Sequence, residues 1–339
     1  MRFVALLLII MSILGFASCE TDFEVNASWK EIGLAYMILD KDDSVQYLKL
    51  NRLYLNDNAD ANEIAQVEDS LYFNDDNISA RLVEGQEIIQ LTRVRISNKE
   101  DGIFAGPEQW VYRTPVGYVL NESRPFKLEI ENTRTGYFMS SSTSIAKEGS
   151  IRSPISTLTN MSFATCDRER NLIAYIDRSM EIFSGRKVKF YDFDAVFHYA
   201  EIDTIANDTT YRELNWIIGR NLRASNDNGG AKISQRIEGD EFYDYVALKL
   251  EPLAEPNVVR LPIKMEFLFH GGGQELYDYI NVNEPSIGIV QKRPEYTNIE
   301  NGLGLFSSRV TQSVSFPFDV CTEVQLVKGE KTADLGFVR

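Results

Sequence analysis

The side chains able to do chemistry are few in kind: 2 histidines, 3 cysteines and 50 carboxylates among 339 residues. His198 lies in the run Val196–Ile202, where it reads as a packed or half-exposed strand residue with no partner near it in the sequence. His270 precedes Gly271-Gly272-Gly273, the form of an oxyanion-hole loop. Acyl transfer of that kind also needs a Gly-x-Ser-x-Gly nucleophile elbow, and that pentapeptide does not occur. The triple glycine therefore reads as a strand-to-helix turn needing positive φ, and no catalytic residue is assigned. Asn56, Asn58 and Asp60 alternate oxygen ligands as a calcium loop does, but Ala61 stands where such a loop needs Gly and no Glu fills its last position. Asp40, Asp42 and Asp43, like Asn74 to Asn77, read as turns in which short polar side chains bond their own backbone. Histidine and cysteine lack zinc spacing, and neither a phosphate loop nor a dinucleotide fingerprint is present. The expectation is no metal ligand and no cofactor.

Two further groups leave alternatives open. Cys166 and Cys321 can form a disulfide in an oxidising compartment or stay as two buried thiols. Trp110, Tyr112 and Tyr118 border a loop containing Gly106, Pro107 and Pro115. They either line a carbohydrate or peptide surface or pack the core and its rim.

The elements that must position these groups are mainly strands. Val259 to Phe269 alternates, with every odd position apolar, as a strand with one buried face does. Pro262 lacks an N–H, so this strand is expected at a sheet edge or with a bulge. Val310, Val314, Phe316 and Phe318 repeat the pattern. Further strands are expected at 45–55, 78–83, 88–96, 126–130, 137–145, 187–191, 195–202 and 211–218. Short helices are expected at 60–66, 241–250 and 274–280. The fold class is mainly β. Residues 25–147 suit an immunoglobulin-like β-sandwich, the Gly-, Ser- and Pro-rich segment 147–156 is the boundary, and 157–339 forms a second β-rich domain with a few short helices.

The N-terminus sets the compartment. Arg2, the apolar run Phe3 to Leu14 and the small residues Ala17 and Ser18 have the three regions of a secretory signal over 1–18. No later apolar stretch reaches the roughly 20 residues of a membrane span. The formal charge of −15 disfavours nucleic acid as a partner. The junction Leu14…Ala17-Ser18-Cys19 resembles a bacterial lipobox. That resemblance implies cleavage before Cys19, acylation of Cys19, and a tether over 19–24, whose Glu20, Asp22 and Glu24 resemble the acidic export tag of some Bacteroidota lipoproteins.

Two other stretches, Tyr47 to Leu55 with Asp69-Ser70-Leu71-Tyr72-Phe73, and Tyr296-Thr297-Asn298-Ile299 followed by Gly302-Leu303-Gly304, resemble a group of uncharacterised outer-membrane lipoproteins of Bacteroidota. The resemblance implies two β domains and, as partners, the membrane through the N-terminal lipid together with an outer-membrane receptor or another surface lipoprotein. It also implies O-glycosylation at Asp-Ser/Thr junctions: Ser44, Ser70, Thr204 and Thr209. The expected function is a non-enzymatic lipoprotein of the cell outer membrane that binds a ligand or partner. The alternatives are a surface adhesin or assembly component whose edge strands pair, and a hydrolase using two carboxylates about 5–10 Å apart.

Overall fold

The computed structural model describes residues 31–53, 61–97, 102–283 and 295–339. The chain is mainly β. In order, the strands of the first half are β1 (Gly33–Asp40), β2 (Tyr47–Arg52), β3 (Ile78–Glu84), β4 (Glu87–Gln90), β5 (Thr92–Ile96), β6 (Gln109–Arg113), β7 (Pro125–Asn132) and β8 (Tyr137–Ser144). There follow β9 (Ser150–Ser153), β10 (Ala164–Cys166), β11 (Leu172–Tyr175), β12 (Arg178–Phe183), β13 (Phe190–Asp203), β14 (Asp208–Arg223), β15 (Lys232–Ile237), β16 (Val258–Gly272) and β17 (Leu303–Pro317). The helices are short: α1 (Ala61–Ala65), α2 (Glu68–Leu71), α3 (Gly239–Lys249), α4 (Gln274–Asn283) and α5 (Val320–Lys328).

One eight-stranded sheet, ordered β14-β13-β16-β17-β1-β2-β6-β5, runs through both halves of the chain. Its joint is the parallel pairing of β1 with β17, Leu34 opposite Leu303 and Asp40 opposite Arg309. Gly304, at φ 119°, lets the two backbones close here, because a Cβ would lie 1.9 Å from the Ala35 carbonyl oxygen. Two smaller sheets cover one face. The sheet β4-β3-β7-β8 packs on β1, β2 and β6 through a core that includes Met37, Leu50, Tyr112, Leu82, Phe126 and Leu128. The sheet β15-β12-β9 packs on β13, β16 and β17 through Phe193, Phe197, Phe267, Met180, Ile182 and Ile233, with α3 adding Phe242 and Val246.

The division expected at 147–156 falls on a stretch that is built in. Lys147 N–H donates to the Arg186 carbonyl, Gly149 N–H to Gln312 Oε1, and Ser150–Ser153 is β9 itself. The first core also takes Ile299 and Phe306 from the far end of the chain.

Pro262 resolves to a bulge in an interior strand, since β16 lies between β13 and β17. His198 pairs with Lys264 and Tyr199 with Pro262, leaving Ile263 as the extra residue. One extra residue inverts the faces. Beyond the bulge Met265, Phe267 and Phe269 are buried, while before it Arg260 and Pro262 point inward. Gly271 and Gly272 also depart from expectation: they are extended strand residues, not a positive-φ turn. A Cβ on Gly272 would meet the Phe190 ring at 2.2 Å, so close packing is what requires glycine there.

Candidate functional site

Of the three aromatics singled out in the sequence, Trp110 borders a cleft. Tyr112 is core, 5% exposed. Tyr118 packs against the same core and donates its hydroxyl to Glu84 at 3.1 Å. Burial, then that hydrogen bond, pushes its phenol well above the ordinary range.

The cleft is about 590 Å³ and is built from β2, α2, β5 and β6. Strand pairing sets Arg93 opposite Tyr112 and Arg95 opposite Trp110. The Arg93 guanidinium lies 4.4 Å from the Trp110 ring centre and 5.9 Å from that of Tyr72, and Arg95 lies 5.4 Å from Trp110. The indole N–H donates to Glu68, which also pairs with Arg95 at 3.4 Å. Arg52 ties α2 to β2 by donating to the Asp69 and Ser70 carbonyls at 2.7 and 3.3 Å. Phe73, Asn74 and Asp69 complete the lining. A wall of aromatic faces and guanidinium edges beside carboxylates suits a ligand with both flat and hydrogen-bonding surface. Arg52, Phe73 and Asn74 also line a smaller adjoining cavity that reaches Glu31, the first described residue.

A second groove, about 440 Å³, lies on the opposite side of β6, with Tyr36, Tyr47, Lys49, Ile96 and Gln109 along it. Tyr36 meets Tyr279 of α4 edge-on at 6.1 Å. Its phenol is pushed up to about 12, by burial first and then by the Tyr279 hydrogen bond. Sequence reading missed this groove because β1 is an unbroken apolar run, Leu34 to Leu39, without the alternation that marks a sheet face.

Each histidine gains partners that the sequence does not bring near it. His198 Nε2 is 3.0 Å from Glu266 Oε2, beside Lys264 at 3.4 Å from the same oxygen. Burial pushes the Glu266 carboxyl up, but hydrogen bonds from Ser313, His198 and Lys264 and the lysine charge outweigh it and hold the group below its usual value. His270 Nδ1 is 3.1 Å from Thr311 Oγ1, and its Nε2 is 3.5 Å from Asp194 Oδ2. Asp194 in turn pairs with Arg220 at 2.7 Å. Burial holds the His270 imidazole below its ordinary value, against the pull of Asp194 and Asp192. Two further acids are ion-paired, Glu201 with Arg260 and Arg212, and Asp40 with Arg309.

Cys166 and Cys321 are joined in a disulfide with Cα atoms 5.5 Å apart, tying β10 to the first turn of α5. Asp319 caps that helix, accepting from Thr322 N–H and Cys321 N–H. The acceptor sites expected for sugar differ in access. Ser44, Thr204 and Thr209 are exposed, though the Thr204 hydroxyl donates to the Asn257 carbonyl at 2.8 Å, and Ser70 is half-buried in α2. Cys19 with its signal and tether, and the Asn56 to Asp60 tract, lie outside the described residues. Among the described residues no cluster of three metal-ligating side chains occurs, and no helix is long and apolar enough to cross a membrane. No protein-family model matches this chain, and no curated protein is significantly similar to it.

Proposed function

We propose that this chain is a lipid-anchored protein of a diderm cell envelope, held to the outer membrane through Cys19, that binds a ligand or protein partner and carries out no reaction of its own. The observation that carries the reading is the cleft at Trp110, Arg93 and Tyr72, because the cavity adjoining it reaches Glu31, a short stretch after Cys19. A site so placed receives a partner that shares the same membrane surface. The Cys166–Cys321 bond suits an oxidising compartment, where such crosslinks persist. The sheet-face carboxylates Asp194 and Glu201 are ion-paired with Arg220 and Arg260, an arrangement that suits a structural role. The chain belongs in this reading with the Bacteroidota surface lipoproteins that its two motifs resemble.

The test has two arms. Metabolic labelling with a fatty acid should mark the protein, and Cys19→Ala should release it from membranes. A photo-crosslinking residue at Asn74, exposed on the cleft, should give one discrete adduct in living cells that Trp110→Ala and Arg93→Ala abolish. An unlabelled chain, or adducts indifferent to both substitutions, overturns the reading.

A further inference from the structure

The eight-stranded sheet ends on β14, an edge strand without lysine or proline, whose regular part runs over 208–217 and is bordered by α3 and β15 from Trp216 to Ile218. Its outward groups can be assigned. The hairpin closes at Asp203 opposite Asp208, and the register runs without a shift to Ile217 opposite Asp194. The Asn215 carbonyl accepts the hydroxyl of Tyr245, which belongs to α3 and lies outside the β13–β14 pair. Residues of an antiparallel strand alternate in the direction of their backbone groups. The odd-numbered residues Tyr211, Glu213, Asn215 and Ile217 therefore turn their N–H and C=O away from β13. Two of them also carry large exposed apolar side chains, Tyr211 at 77% and Ile217 at 61%.

We infer that two copies of this chain join edge to edge through β14, antiparallel across a two-fold axis at Leu214. Charge and the covering of exposed side chains together select that register. Centring on Arg212 or on Glu213 sets like charges directly opposite, which destabilises an antiparallel pair. Centring on Leu214 sets Tyr211 against Ile217 of the second copy at both ends, covering all four exposed side chains. It also sets Glu213 opposite Asn215 and Arg212 opposite the Trp216 ring, a cation over an aromatic face. The pairing adds about eight backbone hydrogen bonds. The Asn215 carbonyl keeps a second lone pair for the incoming N–H while holding Tyr245. An isologous contact of this kind closes on itself and stops at two copies. It is independent of the Trp110 cleft, which lies by β5 and β6 at the other end of the same sheet.

Native mass spectrometry of the full chain, released from detergent, tests this. The wild-type protein should give the mass of two copies. Tyr211→Asp and Ile217→Lys should each give one copy with an unchanged circular dichroism spectrum, as expected at exposed positions. The double variant should return to two copies, because Asp at 211 then faces Lys at 217 across both ends. A single-copy wild type, single variants that stay paired, or a double variant that stays apart overturns the inference.

Discussion

At His270 the protonation state is a matter of stability. Burial holds the folded imidazole below its usual value, whereas an unfolded chain protonates it near pH ~6.5. Between the two values the unfolded chain binds the extra proton. The contribution of the neutral ring is therefore complete above the unfolded value and is lost as pH falls from there through the folded value. Urea midpoints of the wild type should drop between about pH 7 and about pH 5 more steeply than those of His270→Gln; equal slopes would remove His270 from the account. Gly304 makes a second case. At φ 119° with the Ala35 carbonyl in the place of a Cβ, Gly304→Ala combines backbone strain with overpacking, on the order of 3 kcal/mol. Chemical denaturation should show this as a lowered midpoint, with Gly136→Ala, at φ 73° in open space, losing markedly less.

Among the elements, α5 with the hairpin β10–β11 depends on a covalent tie. The Cys166–Cys321 bond spans 155 residues of sequence, and closing so long a loop restricts the unfolded chain by about 5 kcal/mol. The double variant Cys166→Ser, Cys321→Ser should melt at a lower temperature than the oxidised protein, and reductant should lower the wild type to match it. Legibility from sequence also varies by element. Strands with one wet face, such as β7 and the second half of β16, alternate in the sequence and could be read directly. The strand β1 could not, because a continuous apolar run fits a buried strand and a helix equally well. The segment 88–96 reads as one strand but divides at Leu91 between two sheets, a tertiary choice with no local mark. The helix α5 was missed although Asp319 before it and Gly329 after it are end signals. Trp110 was legible as one of three aromatics that could line a surface or pack the core; its neighbours Arg93, Tyr72 and Arg52 were not, since only strand pairing and the short α2 bring them to it.

For the whole molecule, the shared sheet decides what can stand alone. A fragment of residues 25–147 would carry β1 without β17 and the first core without Ile299 and Phe306. Such a fragment should give poorly dispersed amide resonances and bind hydrophobic dye, and adding a peptide of 295–317 should sharpen the spectrum. A well-dispersed fragment on its own would show that the first half is a self-sufficient unit. The joint between β1 and β17 also imposes a timetable on biogenesis. The two strands are made on the order of 270 residues apart, which at cellular elongation rates is roughly fifteen to fifty seconds. Throughout that interval the nascent polypeptide carries a finished strand whose mate has not left the ribosome. Whatever meets the nascent chain in that interval meets one that is still threadable, and the emergence of β17 is what commits it to its final shape.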